Sequence, residues 1–373
     1  MRKARIITSF LIILLLTACT EMKTLEKMGM ITTLGYDLTE DKKILTTMVL
    51  LQIDPEAPRN TGVLSARAVT SKGARIAADL KSPKKMQSGQ LRVALYSEDI
   101  AKQGIINLAD TLARDPSISD LTYLAIVEGN VENFLKRQND QFTDIGQYVY
   151  KELDQNIKGE LIPSSTLQEV MHDYYAVGVD PLLPTMKAED GQVKITGMAL
   201  MEMDKMVGKI SATQAFYIKL INDRFEAGSV ELTLNKDDIK FTEQDGQTSE
   251  LAVVLDTITS RSDIKLINKD IPEFNMTIKL DSRLLEVNQS LDLKNPANVK
   301  NLEKIISKKM KSEVENLLEY TKSKKSDPFG FGEVYRSSVK HTNLTHSKWH
   351  DLYDKSKINV IIDFTIIRTG VVE

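Results

Sequence analysis

The chain of 373 residues has one cysteine, four histidines and one tryptophan. A single thiol excludes any intramolecular disulfide and any cysteine-rich metal site. Charge of one sign is also missing, since 49 lysines and arginines stand against 52 aspartates and glutamates, for a net charge of −3. Nucleic acids are held by clustered cationic faces, and this balance points to no nucleic-acid partner. After the N-terminal leader no segment approaches the roughly 18 uninterrupted apolar residues of a membrane-spanning helix. What is present is an ordinary globular mixture, 42% hydrophobic and 27% charged. The length suits two or three domains, each with its own core.

The N-terminus accounts for the cysteine. Met1 to Arg5 carries three positive charges, Ile6 to Leu16 is apolar apart from Thr8 and Ser9, and Leu16-Thr17-Ala18-Cys19 follows. A charged region, a short apolar region and small residues before a cleavage point make a secretory signal, here residues 1–18. Leu-Thr-Ala-Cys resembles the bacterial lipobox. That resemblance implies cleavage between Ala18 and Cys19 and an S-diacylglyceryl group on the Cys19 sulfur, with N-acylation as an optional addition. Two acyl chains such as palmitate give stable anchoring where one is marginal. The competing reading is a plain signal peptide with an accidental cysteine. Removing residues 1–18 takes away Arg2, Lys3 and Arg5 and no acid, so the remaining chain is near −6.

Hydrophobic periodicity predicts a mixed α/β, or α+β, protein. Residues 31–38 and 43–53 read as a hairpin, 63–80 as a helix ending at Ser82-Pro83, and 91–97 as a buried strand. Residues 98–115 read as an amphipathic helix and 121–129 as a strand, which suggests a parallel pair with a crossover helix. Two helical pieces over 142–175 break at Pro163, with Ser164 and Ser165 as a cap. Residues 177–191, "VGVDPLLPTMKAEDG", read as a linker. A second hairpin turns at Met203 to Lys205, and a helix follows over 212–223. Strands then dominate to Val287, followed by a long helix from Pro296 to about Lys322, a short helix near Trp349, and a closing strand. A lone hairpin is marginal in water. The hairpins at 31–53 and 192–209 are therefore expected to pair in a discontinuous domain of residues 19–55 and 190–228. Residues 56–189 form a second domain and 229–373 a third, with a simple cut near residue 190 as the alternative division. The expectation is three small domains with mixed sheets and packed helices.

Candidate chemistry is sparse. His172 stands alone in a helix. His341, His346 and His350 lie within ten residues, and His346 and His350 share a helical face at i, i+4, a metal-ligand spacing. No HExxH frame and no third ligand accompany them, so a solvated helix face is the expected reading. GxSxG and P-loop patterns are absent. Residues 330–334, "GFGEV", read as a turn. Leu302, Ile305, Ile306, Met310, Val314, Leu317 and Leu318 give the long helix one apolar face. That face suits core packing, with docking to a partner or a membrane surface as the alternative. No cofactor and no catalytic group is predicted.

Five strings in order carry a resemblance. They are the lipobox with "ITTLGYDLTEDKKILTTMVLLQIDPEAP", then "SGQLRVALYSEDIAKQGIINLADTLARDPSISDLTYLAIVEGNVENFL", then "ITGMALMEMDKMVGKISATQAFYIKLIND", which contains Gly197 and Gly208. "SDPFGFGEVYR" and "W…INVIIDFTIIRTG" complete the set through Asp327, Gly330, Gly332, Trp349 and Gly370. Together they resemble the Ger(x)C lipoproteins, the C subunits of spore germinant receptors, over about residues 16–371. The chain departs in having no histidine around Gly89 to Val93, and Met201 stands where a phenylalanine is usual. The resemblance implies a non-enzymatic subunit anchored to the outer face of the spore inner membrane. Its partners would be two integral membrane subunits, A-type and B-type, and the assembly would trigger release of ions and dipicolinate when nutrients arrive. The resemblance also implies an elongated molecule of three α/β-type domains. Direct germinant contact is left open. A solute-binding lipoprotein of an importer is the alternative, and it predicts two doubly wound lobes.

Overall fold

Strand β1 (Met28–Leu38) opens the fold and turns through Thr39 to Lys43 into β2 (Ile44–Leu51), as the period-two pattern predicts. The computed structural model describes residues 28–51, 61–137, 144–222, 228–235, 250–289, 291–341 and 343–369. Cys19, the signal segment and Gly370 lie outside these residues. The next segment departs from the predicted helix over 63–80. Its first half is β3 (Thr61–Ala68), paired residue for residue with β2, and only Ser71–Asp79 is helical, as α1. Leu64, Ala66 and Ala68 satisfy the strand period, and the Thr70 side chain caps the helix by accepting from the Gly73 N–H at 3.0 Å.

β4 (Lys85–Gln87) and β5 (Val93–Ser97) then run parallel to β1. The predicted helix over 98–115 is two helices, α2 (Glu98–Gln103) and α3 (Ile106–Ala113). Asp204 breaks the run, because its carbonyl accepts from the Ile105 N–H at 3.0 Å and its carboxylate accepts from the Ile106 N–H at 3.3 Å. β6 (Tyr123–Val127) is parallel to β5, which is the expected crossover unit. α4 (Val131–Leu135), α5 (Ile145–Lys158) and α6 (Leu167–Tyr175) lead to β7 (Leu182–Glu189). The cap of α6 is Thr166, with Glu169 completing a capping box, rather than Ser164 or Ser165. β7 occupies the predicted linker. Its residues Leu182 to Met186 are buried, and its ladder to β6 covers only Thr185 and Met186, so Pro184 withholds no bond from it.

β8 (Gln192–Glu202) and β9 (Lys205–Ile210) form the second hairpin, followed by α7 (Ala212–Asn222). Strands β1 to β9 make one mixed sheet in the order β3-β2-β1-β5-β6-β7-β8-β9, with β4 alongside β1. The two hairpins therefore do not pair with each other. Each meets its need for further strands by extending opposite flanks of the β5-β6-β7 centre. A second sheet, β10 (Ser229–Asn235), β11 (Glu250–Asn268), β12 (Glu273–Val287) and β13 (Lys357–Thr369), is antiparallel except for its β12–β13 pair. α8 (Pro296–Ser323), α9 (Phe331–Ser338) and α10 (His346–Lys355) lie between β12 and β13 in the chain. The predicted turn at 330–334 is the start of α9, with Gly330 at its N-cap. One nine-stranded and one four-stranded sheet with packed helices make the fold mixed α+β, and two doubly wound lobes are not seen among the described residues.

Burial follows directly. Val93 and Leu95 of β5 face one core, while Ala94 and Tyr96 face the other. A strand covered on both sides reads as a continuous apolar run for this reason. The first core continues through α5 and α7 into the second sheet and α8. Leu302, Ile306, Met310, Val314, Leu317 and Leu318 are all buried there, and Ile305 packs at the margin. The apolar face of the long helix is thus core, not a free docking surface.

Candidate functional site

Between α6 and β7 the chain makes a short turn, residues 176–181, and ends it with Asp180, which is 2% exposed. This turn meets the segment 326–333 that joins α8 to α9. Gly178 and Gly332 allow the approach. Gly178 has φ +111°, and a Cβ on it would lie 2.2 Å from the Gly332 carbonyl carbon. A Cβ on Gly332 would lie 2.4 Å from the Gly178 Cα and 2.6 Å from the Trp349 indole. Only residues without side chains permit backbone to pass backbone this closely.

Two carboxylates fasten the contact. Asp180 accepts from the Met203 N–H at 2.8 Å and from the Asp327 N–H at 2.8 Å, and its own N–H donates to the Asp327 carbonyl at 2.9 Å. Asp327, fully buried, accepts from the Gly332 N–H and from the Trp349 Nε1–H, each at 2.9 Å, and from the Phe329 N–H at 3.2 Å. His350 completes the junction, its Nε2 lying 2.9 Å from the nearer Asp180 oxygen. Its Nδ1 is 3.6 Å from Glu202, an ion-pair distance beyond hydrogen-bond range. Phe331, Tyr335, Trp349 and Tyr353 pack around these groups with ring centroids 5.7 to 6.1 Å apart.

The electrostatics follow from burial. Desolvation pushes the Asp327 carboxyl up to about 7; the Gly332 N–H offsets part of this, and the nearby Asp180 charge adds to it. Burial opposes charging of His350, but the hydrogen bond and charge of Asp180 outweigh it, and His350 is raised above the ordinary histidine value. The junction therefore holds a hydrogen-bonded Asp180–His350 pair, an ion pair where His350 is protonated, beside a carboxyl whose charged form is disfavoured by burial. Asp180 thereby fastens three chain segments at one point, through the Met203 N–H, the Asp327 N–H and His350.

A cleft of about 660 Å³ opens beside the junction, between α6, α7 and residues 328–333. Asp180 forms part of its wall, with His172, Asp173, Lys219, Asn222 and Glu333. His172 is exposed and bonds to Asp173 at 3.0 Å, which raises it above the ordinary histidine value.

The histidine expectations need correction. His350 is not on a solvated helix face: the helix turns it inward to Asp180, at 4% exposure. His346 remains half-buried, held below the ordinary value by burial, and His341 is exposed ahead of the helix. Among the described residues no three His, Cys, Asp or Glu groups are arranged to hold a metal ion. Of the motif residues, Asp327, Gly330, Gly332 and Trp349 converge on the junction. Gly197 lies against the Ile210 carbonyl and Gly208 against the Tyr320 hydroxyl. Asp180 and His350 were missed as partners. Their one local signal is the polar residue beside Pro181 ahead of an apolar strand, and the histidine beside the single tryptophan.

Comparison with known proteins assigns the halves that this junction joins. The description "spore germination protein N-terminal domain" matches residues 21–188, and "spore germination B3/GerAC like, C-terminal" matches residues 196–370. Asp180 comes from the first and Met203, Asp327, Trp349 and His350 from the second. Spore germination protein GerQC of Bacillus cereus is 25% identical over 359 residues, covering 96% of each chain. The putative spore germination protein YfkR of Bacillus subtilis (strain 168) is 20% identical over 97% of this chain and 95% of its own. The crystal structure of the GerBC protein shares the fold with a TM-score of 0.56 and 16% identity, over 90% of this chain and 96% of that one. The molecule is thus a two-part α+β spore germination protein. It belongs to the Ger(x)C family of germinant-receptor C subunits.

Proposed function

We propose that the chain is the lipid-anchored, non-enzymatic C subunit of a nutrient-sensing germinant receptor, held by Cys19 at the outer face of the spore inner membrane beside A-type and B-type integral membrane subunits. The collinear match of both halves to spore germination domains carries this reading. The lipobox supports the anchor, and no helix among the described residues is long and apolar enough to cross a membrane. The buried junction supports a scaffold role, because its strongest polar groups are spent on joining chain segments. No cofactor enters the proposal. Isolation of the protein from spore inner membranes tests it. The A-type and B-type subunits should co-purify in detergent, and the mature N-terminus should be an acylated Cys19. Recovery of a Cys19→Ala form in the membrane fraction at the parent level, with neither subunit attached to the parent, refutes the reading.

A further inference from the structure

Around α1 the chain departs from its own charge balance. Residues 61–97 carry seven cations, Arg67, Lys72, Arg75, Lys81, Lys84, Lys85 and Arg92, against one acid, Asp79. The chain after residue 18 is near −6 as a whole. Lys72 and Arg75 are turned to Asp115, and Arg92 lies over the Tyr150 ring. Lys81 donates to the Ser65 carbonyl at 3.3 Å, and among the described residues neither it nor Lys84 nor Lys85 is in an ion pair. Beside them stand Ile76 and Leu80, 66% and 86% exposed, with Val69 at 76% near the start of the helix. Lys72, Ile76 and Leu80 follow one another at four-residue steps and so form one stripe. The turn after α1 is held in place by Asp79, which accepts from the Met86 N–H at 2.9 Å, and this keeps the three lysines next to Leu80.

The same place is where the chain enters the fold. Met28 of β1 pairs with Lys85 of β4, and Gly29 with Met86. Nine residue steps separate Cys19 from Met28, a reach of at most about 30 Å. Apolar side chains rimmed by lysines that have no acidic partner are the chemistry of an interfacial, anionic-lipid contact. A short tether from acyl chains holds such a patch at high local concentration over the bilayer, so a contact too weak alone becomes persistent.

We propose that the α1–β4 face lies on the membrane, with Ile76 and Leu80 in the headgroup layer and Lys81, Lys84 and Lys85 on anionic phospholipid headgroups. This rests on the reading of Cys19 as the anchor. It gives the molecule a fixed orientation, with the α1–β4 face turned to the lipid. An acidic protein surface shares the charge complementarity. The nearness of the tether and the exposure of Ile76 and Leu80 favour lipid.

The single native cysteine makes the test clean. In the lipidated full protein the Cys19 thiol is blocked, so Leu80→Cys accepts one environment-sensitive fluorophore, and Ile271→Cys, an exposed site between β11 and β12, serves as control. Both are placed on vesicles of phosphatidylcholine, alone or mixed with phosphatidylglycerol. The Leu80 probe should shift to the blue and resist an aqueous quencher on the mixed vesicles, while the Ile271 probe does neither. Lys81→Glu/Lys84→Glu/Lys85→Glu should abolish the Leu80 shift. Equal behaviour at the two sites, a shift unmoved by charge reversal, or a shift that needs the integral subunits overturns the proposal. Flotation on neutral vesicles in high salt reports the anchor separately. Its failure refutes the Cys19 reading, while the Leu80 probe still decides the patch.

Discussion

Replacing Asp180 by asparagine should loosen the junction between the two halves. Its carboxylate accepts from the Met203 and Asp327 N–H groups at 2.8 Å and from His350 at 2.9 Å. Asparagine offers one acceptor oxygen and turns an N–H₂ toward a donor, leaving at least one buried N–H without a partner at about 1–3 kcal/mol. Where His350 is protonated it also loses its nearer counter-ion, leaving only the more exposed Glu202 at 3.6 Å, and breaking one side of a buried pair costs about 3–5 kcal/mol. These losses share one network and do not add, so about 3–5 kcal/mol is expected in all. That is a large share of the 5–15 kcal/mol typical of a folded domain. Trp349 is the only tryptophan and donates to Asp327 at 2.9 Å, so its fluorescence reports the junction itself. In urea its midpoint should fall by about 1 M or more.

The pH dependence has a definite sign. His350 is raised in the fold, so its contribution is present below the ordinary histidine value and lost as pH rises through the folded one. Asp327 is raised from 3.8 to about 7, so the fold keeps its proton longer than the unfolded chain, and stability again falls as pH rises across that window. Only the last pH decade of that window lies between pH 6 and pH 8, so Asp327 contributes about 1 kcal/mol to the difference there. The parent midpoint should therefore be higher at pH 6 than at pH 8, and Asp180→Asn should narrow the gap. A variant with the parent midpoint at both values shows that Asp180 does not hold the halves together.

Other outcomes follow from the same geometry. Gly332→Ala would drive a methyl into the Gly178 backbone and the Trp349 ring; a loss of about 3 kcal/mol or failure to fold is expected, read by circular dichroism during thermal unfolding. Asp37 accepts from the Val131 and Glu132 N–H groups, both at 2.8 Å, and ties α4 to β1. Asp37→Ala should cost about 1–2 kcal/mol and speed hydrogen exchange over residues 131–135 first. Asp204→Ala should cost about 1 kcal/mol and increase exchange at Ile106, whose N–H it accepts.

The elements with strong local periodicity were legible before the structure. The stripe of Leu302 to Leu318 and the hairpin turning at Met203 depend on residues a few positions apart. The failures lie where distant partners decide. Val63 to Ala68 suits a helix or a strand, and only the free edge of β2 selects the strand. Residues 177–191 resemble a linker because of Pro181 and Pro184, yet Leu182 to Glu189 fills the space between β6 and β8. Asp327, Gly332 and Trp349 were visible as motif residues, but Asp180 is 147 positions from Asp327 and 170 from His350. Periodicity carries no information over such separations, so the histidine looked like part of a solvated helix face.

The central claim is that this protein serves nutrient-triggered germination as a receptor subunit. Its most direct test is dipicolinate release from spores lacking the gene, in a strain without a redundant receptor, set against the same strain with the gene restored. The deleted spores are expected to fail to release dipicolinate to one nutrient class, the restored gene to recover it, and vegetative solute uptake to be unchanged. Normal release from the deleted spores, or a defect confined to solute uptake, would contradict the claim.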